Sequence, residues 1–329
     1  MPIFCEKTVF LAQKEQYLED SILEYIDSSV PANTRTAYAS GWKHFTLWCQ
    51  AMQRTSCPAT AHTIAMYISY LGKRDFRPST IRQRLSAIQF VHSISGAPSS
   101  VRAPEVQKVM KGIEMQKGVR PESSPALRLE NLKKMVLCAR ESGSYKSIRD
   151  IALLLLGYAG AFRRSELVHI RMRDVEETPE GIRILLRSSK GDGQGEGLLK
   201  GIPFAQPENE EFCPVSAYFE WKEAASLQEK EHFLFHSITK HATSRDKSLP
   251  LQGKMVNSIV QEWAEKAGML LPGISAHSLR SGFITDAAVA GIPEWIIQKH
   301  TGHKSAEVLR GYIREGNVFL QNAVSLLGL

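Results

Sequence analysis

The run Gly118-Val119-Arg120-Pro121-Glu122-Ser123-Ser124-Pro125 constrains this chain more than any other stretch. Each proline lacks an amide donor and pushes the residue before it out of helical geometry. With a glycine ahead of them and two serines between them, the run cannot carry a helix through. A chain of 329 residues interrupted there reads as two domains of ordinary size. We place a first domain at 1–117, a linker at 118–125 and a second domain at 126–329.

In the first domain apolar residues recur at three- and four-residue steps over Thr34–Gln50, Ala61–Leu71, Ser79–Ser93 and Glu105–Gln116, which is the helical period. A further helix is expected over Thr8–Tyr25. Asn33 or Thr34 can cap the first of the four, and Ser79, behind Pro78, the third. Trp42, Phe45 and Trp48 recur at three-residue steps and belong to the core. No strand-like alternation precedes residue 180, so the domain is expected to be all-α.

This domain is also where the charge sits. The chain has a formal net charge of +7, yet Asn33 to Arg120 alone holds thirteen lysines and arginines against three acids, Asp75, Glu105 and Glu114. A local excess of that size suits a polyanion, with nucleic acid ahead of a membrane surface. Arg77, Arg82, Gln83, Arg84 and Gln89 lie on or beside one expected helix, with Arg35 and Lys43 on another. Such groups can meet phosphates or base edges in a major groove.

Five scattered cysteines show no CxxC or Cys/His spacing, so neither a disulfide framework nor a zinc site is indicated. The longest apolar stretch, Ile151–Phe162, is well short of the ~20 residues that span a bilayer. A reducing, cytoplasmic and nucleoid-associated location is expected, with no membrane.

The second domain begins with expected helices at Arg128–Glu141, Ser147–Ala161 and Arg163–Ile170. Strands are expected at Ile182–Arg187 and Leu198–Pro203, divided by the glycine-rich run 190–197, a flexible hairpin tip. The rest is helical, with Pro214, Ser275 and Pro293 near helix starts. No GxxxxGK[ST] loop and no compact Asp/Glu cluster suited to two magnesium ions is present, so no cofactor and no metal is called for.

The chemistry-bearing residues lie in this half. His277-Ser-Leu-Arg280, then His303, then Tyr312 put two imidazoles, a guanidinium and a phenol in one stretch. That set suits a phosphodiester. Arg163 stands where a buried apolar helix gives way to a polar one, three residues before Glu166, a spacing that also makes a plain surface ion pair.

Together these pieces resemble the tyrosine recombinase (phage integrase) family, and most closely its Cre-like branch. Phe162-Arg163-Arg164-Ser165-Glu166-Leu167 is similar to the segment of the first catalytic arginine. Lys190 lies in the hairpin that holds the family lysine, and His277-Ser-Leu-Arg280 matches the HxxR box. Thr301-Gly302-His303 is similar to the "GH" box, and Arg310-Gly311-Tyr312-Ile313-Arg314 to the nucleophile box. Where Cre has tryptophan at the "GH" position, this chain has histidine.

The resemblance implies a mainly α fold with a small β-hairpin or sheet. An all-α core-binding domain and a mixed catalytic domain would form a clamp around DNA. It implies site-specific strand cleavage and rejoining through a 3′-phosphotyrosyl intermediate and a Holliday junction. Tyr312 would attack phosphorus, and Arg163, Arg280 and His303 would hold the phosphate oxygens. His277 would act as base or positioner, with Glu166 orienting an arginine or histidine. Lys190 would protonate the leaving 5′-oxygen, with Lys200 at the other end of the hairpin as the competing choice.

The partners implied are double-stranded recombination sites and three further copies of the chain, with room for accessory proteins. A terminal helix at about 317–327 would link protomers or fold back in cis. A type IB topoisomerase, a telomere resolvase and a catalytically silent DNA-binding architectural protein are the competing readings.

Overall fold

A computed structural model describes residues 30–118, 124–187, 197–239, 246–303 and 309–311. The helix expected over Thr8–Tyr25, Lys190, Tyr312 and the segment 317–327 lie outside these. The chain divides into two units, Met1–Glu122 and Ser123–Leu329.

The described part of the first unit is helical: α1 (Ala32–Ala51), α2 (Ala61–Lys73), α3 (Pro78–Ile94) and α4 (Pro104–Lys117). Helix α1 packs on α3 and α2 on α4. Gly41 permits the first approach, because a Cβ there would meet that of Ala87 at 3.2 Å. Phe45 and Trp48 are buried with Ile64, Tyr67 and Ile68 of α2, Ile88 of α3 and Met110 of α4, while Trp42 is half-buried. The Phe45 and Tyr67 rings meet edge-on at 4.9 Å.

The capping expected here is corrected. α1 follows Pro31 and α3 follows Arg77, neither with a side-chain cap. Pro78 is the first residue of α3, where its missing N–H would have had no helical partner. A side-chain cap is present at α2, where the Thr60 hydroxyl accepts from Thr63 N at 3.2 Å.

The second unit opens with α5 (Leu129–Ser142), α6 (Tyr145–Ala159) and the short α7 (Arg164–Val168). Strands β1 (Val175–Thr178), β2 (Gly181–Leu186) and β3 (Leu198–Pro203) follow, then α8 (Pro214–Ala224), α9 (Gly253–Lys266), α10 (Ala276–Val289) and α11 (Glu294–Thr301). Helix α6 is the centre: Ile151 to Leu156 are all buried, and α5, α8 and α10 pack around it. A run of six residues apolar on every side belongs inside a core. Its Asp150 carboxylate, wholly buried, accepts from Arg149 Nη2 at 2.5 Å and from Trp263 Nε1 on α9 at 2.9 Å.

The strands form one antiparallel sheet in the order β1-β2-β3, which corrects two expectations. A strand does precede residue 180, and the expected hairpin is the larger part of a three-stranded sheet. β1 was illegible because an edge strand of four residues, Val-Glu-Glu-Thr, leaves both glutamates in solvent and shows no apolar alternation. Helix α6 starts earlier than Ser147, because the Ser144 hydroxyl caps it by accepting from Ser147 N at 3.1 Å, and ends earlier than Ala161, whose φ of +45° is not helical. Among the described residues no helix is long and apolar enough to cross a membrane.

Candidate active site

Two abrupt helix ends and one helix start build the site. Helix α6 stops at Gly160, the chain turns through Ala161 at φ +45°, Phe162 is buried, and Arg163 then stands before α7. The Glu166 carboxylate accepts from Arg163 N at 2.8 Å and from its Nη1 at 2.5 Å. Glu166 is buried while the Arg163 side chain keeps 22% of its surface. The i, i+3 pair is therefore an inward anchor, and the guanidinium above it remains partly open.

Helix α10 begins at Ser275, whose hydroxyl accepts from His277 N at 3.3 Å while the Ser278 hydroxyl accepts from Ser275 N at 3.0 Å. His277 and Arg280 are three residues apart and share one face. The first turn also presents the positive end of the helix dipole. Arg280 is only 1% exposed, and its Nη1 donates to the Ala161 carbonyl at 2.6 Å. The turn after α6 is thus held by the arginine it helps to bury. Gly282, two residues further on, lets α10 lie against the chain at Leu127; an added methyl would collide with the Leu127 carbonyl.

Helix α11 ends at Gly302, in the left-handed region at φ +69°, which suits glycine. His303 follows, half-buried, with a ring nitrogen 3.0 Å from Arg280 Nη2 and Nδ1 2.7 Å from the Thr301 hydroxyl. Gln298 Nε2 donates to the His303 carbonyl at 2.9 Å. Burial first, then the charges of Arg280 and Arg163, bring the His303 pKa down to about 3, so the ring is neutral at pH 7. Partial burial of its ring and the same two arginines also lower the pKa of His277, whose outer side stays exposed.

Arg163, Glu166, His277, Arg280 and His303 are therefore together. Cations dominate the cluster, two guanidiniums lead it, and Glu166 is the acid within it. Such a set has the chemistry to bind a phosphate and to stabilise added charge on its oxygens. Lys190 and Tyr312 fall outside the described residues. Leu309, three residues before Tyr312, is buried against Ile284, Ala287, Ala288 and Ile297, and Arg310 pairs with Glu294 at 3.1 Å.

Lys200 occupies an inward position of β3 beside Ile202 and is 3% exposed. Its Nζ donates to the carbonyls of Gly160 at 2.7 Å and His300 at 2.6 Å. Sequence reading named Thr301 within the "GH" box without giving it a role, and missed Gln298 and His300. The alternation of Leu198, Lys200 and Ile202 on one strand face was the signal that the lysine points inward.

In the first unit, Lys43, Arg77 and Gln83 are exposed and Arg35 is half-buried. Arg82 is exposed and pairs with Glu114 at 2.5 Å. Arg84 donates to the Tyr67 hydroxyl at 3.0 Å and lies over the Phe76 ring at 4.6 Å. Gln89 accepts from the Ser99 hydroxyl at 2.8 Å.

Comparison with known proteins bears on the family and the fold. The pattern of the phage integrase family matches residues 125–317. An integrase/recombinase xerD homolog of Selenomonas ruminantium is 35% identical over 303 residues, 91% of this chain and 86% of that protein. Recombinase cre of Escherichia phage P1 is 24% identical over 281 residues, 81% of this chain and 79% of that one. Among solved structures, the Tn1549 transposon integrase in complex with transposon right end DNA superposes with a TM-score of 0.60 at 14% identity, covering 90% of this chain and 91% of that one.

Proposed function

The chain belongs to the phage integrase family, and we propose that it recombines DNA at specific sites by the following division of labour. Tyr312 attacks the scissile phosphorus, its phenolic oxygen forming the new P–O bond as the bond to the 5′-oxygen breaks. Arg163 and Arg280 bind the non-bridging oxygens with donors that do not deprotonate. His277, kept neutral by its lowered pKa, accepts the phenol proton or positions it. His303 gives one further hydrogen bond, and Glu166 fixes Arg163. Lys190 delivers the proton that the departing 5′-hydroxyl needs. The phosphotyrosyl link keeps the energy of the broken bond, so a new 5′-hydroxyl can reverse the step without ATP.

The observation that carries this reading is the convergence of Arg163 with Glu166, Arg280 and His303, from three separate segments, on one cationic centre. The protein acts on duplex DNA in the nucleoid as a homotetramer on two duplexes, through a Holliday junction. Arg35, Lys43, Arg77, Arg82, Gln83, Arg84 and Gln89 of the helical unit contact the site. The segment 317–327 joins protomers; an apolar hollow of about 330 Å³ lined by Leu129, Leu132, Leu155, Phe204, Phe212 and Phe283 supports this by offering a receptor of matching chemistry.

The test uses a duplex site selected for binding from a random-sequence pool and nicked beside the scissile phosphate, so that cleavage traps the enzyme. Wild type is expected to form a denaturant-resistant protein–DNA adduct and Tyr312→Phe none. Absence of the wild-type adduct would overturn the recombinase reading; an adduct in Tyr312→Phe would overturn the nucleophile. Lys190→Ala should cleave slowly and recover on a 5′-phosphorothiolate duplex, whose thiolate leaves without a proton.

A further inference from the structure

We propose that Lys200 is a positioning residue of the strand-transfer centre: from the inner face of β3 its ammonium ties together the carbonyls at the ends of α6 and α11, and so sets the two turns that carry Arg163 and His303. The claim rests on the assignment of Arg163, Arg280 and His303 to the scissile phosphate.

The geometry is specific. Gly160 O, at 2.7 Å from Nζ, is followed by the left-handed Ala161, then Phe162 and Arg163. His300 O, at 2.6 Å, is followed by Thr301, the left-handed Gly302 and His303. One donor therefore grips each chain three residues before a catalytic side chain, at the point where its helix breaks. Carbonyls at helix ends have no helical partner and carry the negative end of the dipole, so an ammonium suits both at once. Arg280 closes the arrangement by donating to Ala161 O, the carbonyl next to the one that Lys200 holds.

This placement also explains why Lys200 is not the proton donor. It is 3% exposed, and reaching a leaving oxygen would break two buried hydrogen bonds. Burial first, then Arg280 and Arg163, hold its pKa at about 7, a value that by itself would suggest an acid. A lowered lysine pKa arises equally where a cation is buried for structure.

The decisive measurement is single-turnover cleavage of the selected nicked duplex, with phosphodiester and 5′-phosphorothiolate leaving groups, beside duplex Kd. For Lys200→Met the expected result is about 100-fold slower cleavage, the size of a small misplacement of reacting groups, with Kd within about threefold of wild type. The same deficit should persist on the phosphorothiolate. Lys200→Gln, which keeps two N–H donors on a shorter chain, should recover part of the rate, and it carries the same test if the methionine variant does not fold. Recovery of Lys200→Met on the phosphorothiolate would make Lys200 the acid and overturn the proposal. So would wild-type cleavage, or a loss of Kd equal to the loss of rate. Wild-type cleavage by Arg163→Ala or Arg280→Ala would instead overturn the underlying assignment of the phosphate site.

Discussion

The Arg280 guanidinium presents Nη2 to the His303 ring, 3.0 Å from Nε2, while the Thr301 hydroxyl stands 2.7 Å from Nδ1. Arginine only donates, and its Nη2 lies nearer Nε2, at 3.0 Å, than Nδ1, at 3.3 Å, so Nε2 is the better-placed acceptor. Thr301 Oγ1 donates to Ile297 O at 2.8 Å, which leaves its lone pairs to accept from an Nδ1–H. The shorter Nη2–Nε2 contact and the Thr301 hydroxyl together favour the Nδ1–H tautomer of His303. To donate from Nε2 to a phosphate, the ring must take the other tautomer and the Thr301 hydroxyl must turn from Ile297 O toward Nδ1.

Thr301→Val removes the group that serves both tautomers. Loss of one buried hydrogen-bond partner is worth about 1–3 kcal/mol. Single-turnover cleavage is therefore expected to slow roughly tenfold with duplex affinity unchanged. Thr301→Ser should lie closer to wild type than the valine variant. Equal rates for valine and wild type would show that the hydroxyl does not govern the tautomer.

Arg280→Lys tests whether charge alone suffices. The guanidinium uses Nη1 on Ala161 O and Nη2 on His303, a fork that one ammonium cannot span. Cleavage is expected to fall about 10²–10³-fold, the range for losing an aligned donor to a charged transition state. A lysine variant within tenfold of wild type would reduce Arg280 to a source of positive charge.

Much of this was legible because helical period and motif spacing are local properties. The period found α1 to α4, and the three-residue step from His277 to Arg280 put both on one face. What the sequence hid was set by tertiary partners. Val175–Thr178 is a strand because β2 hydrogen-bonds to it, not because its own pattern says so. Lys200 read as a competing acid because the glycine-rich loop could let either end of the hairpin bend toward DNA, while the strand alternation around it placed it inward. Arg82 and Arg84 read as free basic groups, yet Glu114 and Tyr67, 32 and 17 residues away in sequence, hold them.

Glu166→Ala should destabilise the second unit. The carboxylate is buried and accepts both the backbone N–H and the guanidinium of Arg163. Its removal strands a partly buried cation and an amide, a loss of about 2–4 kcal/mol by comparison with broken buried pairs. Glu166→Gln keeps an acceptor for the amide and should lose less. Urea unfolding followed by circular dichroism measures both, and a loss below about 0.5 kcal/mol for alanine would place the pair among weak surface bridges.

Stability should also rise with pH in two separate windows. In the folded protein His303 is lowered to about 3 and His236, wholly buried against Trp221, to about 4, from 6.5. Between those values and 6.5 the unfolded chain binds more protons than the folded one, so acidification destabilises. Burial of Asp150 raises its carboxyl pKa and opposes this only in the acid window. Lys200, lowered from 10.5 to about 7, follows the same rule higher up. Its buried charge opposes folding fully below pH 7 and is progressively relieved as pH rises toward 10.5, by at most about 1.4 kcal/mol per pH unit. Urea midpoints at pH 7, 8 and 9 should therefore climb more steeply for wild type than for Lys200→Met. Parallel slopes would mean that Lys200 does not titrate in this range.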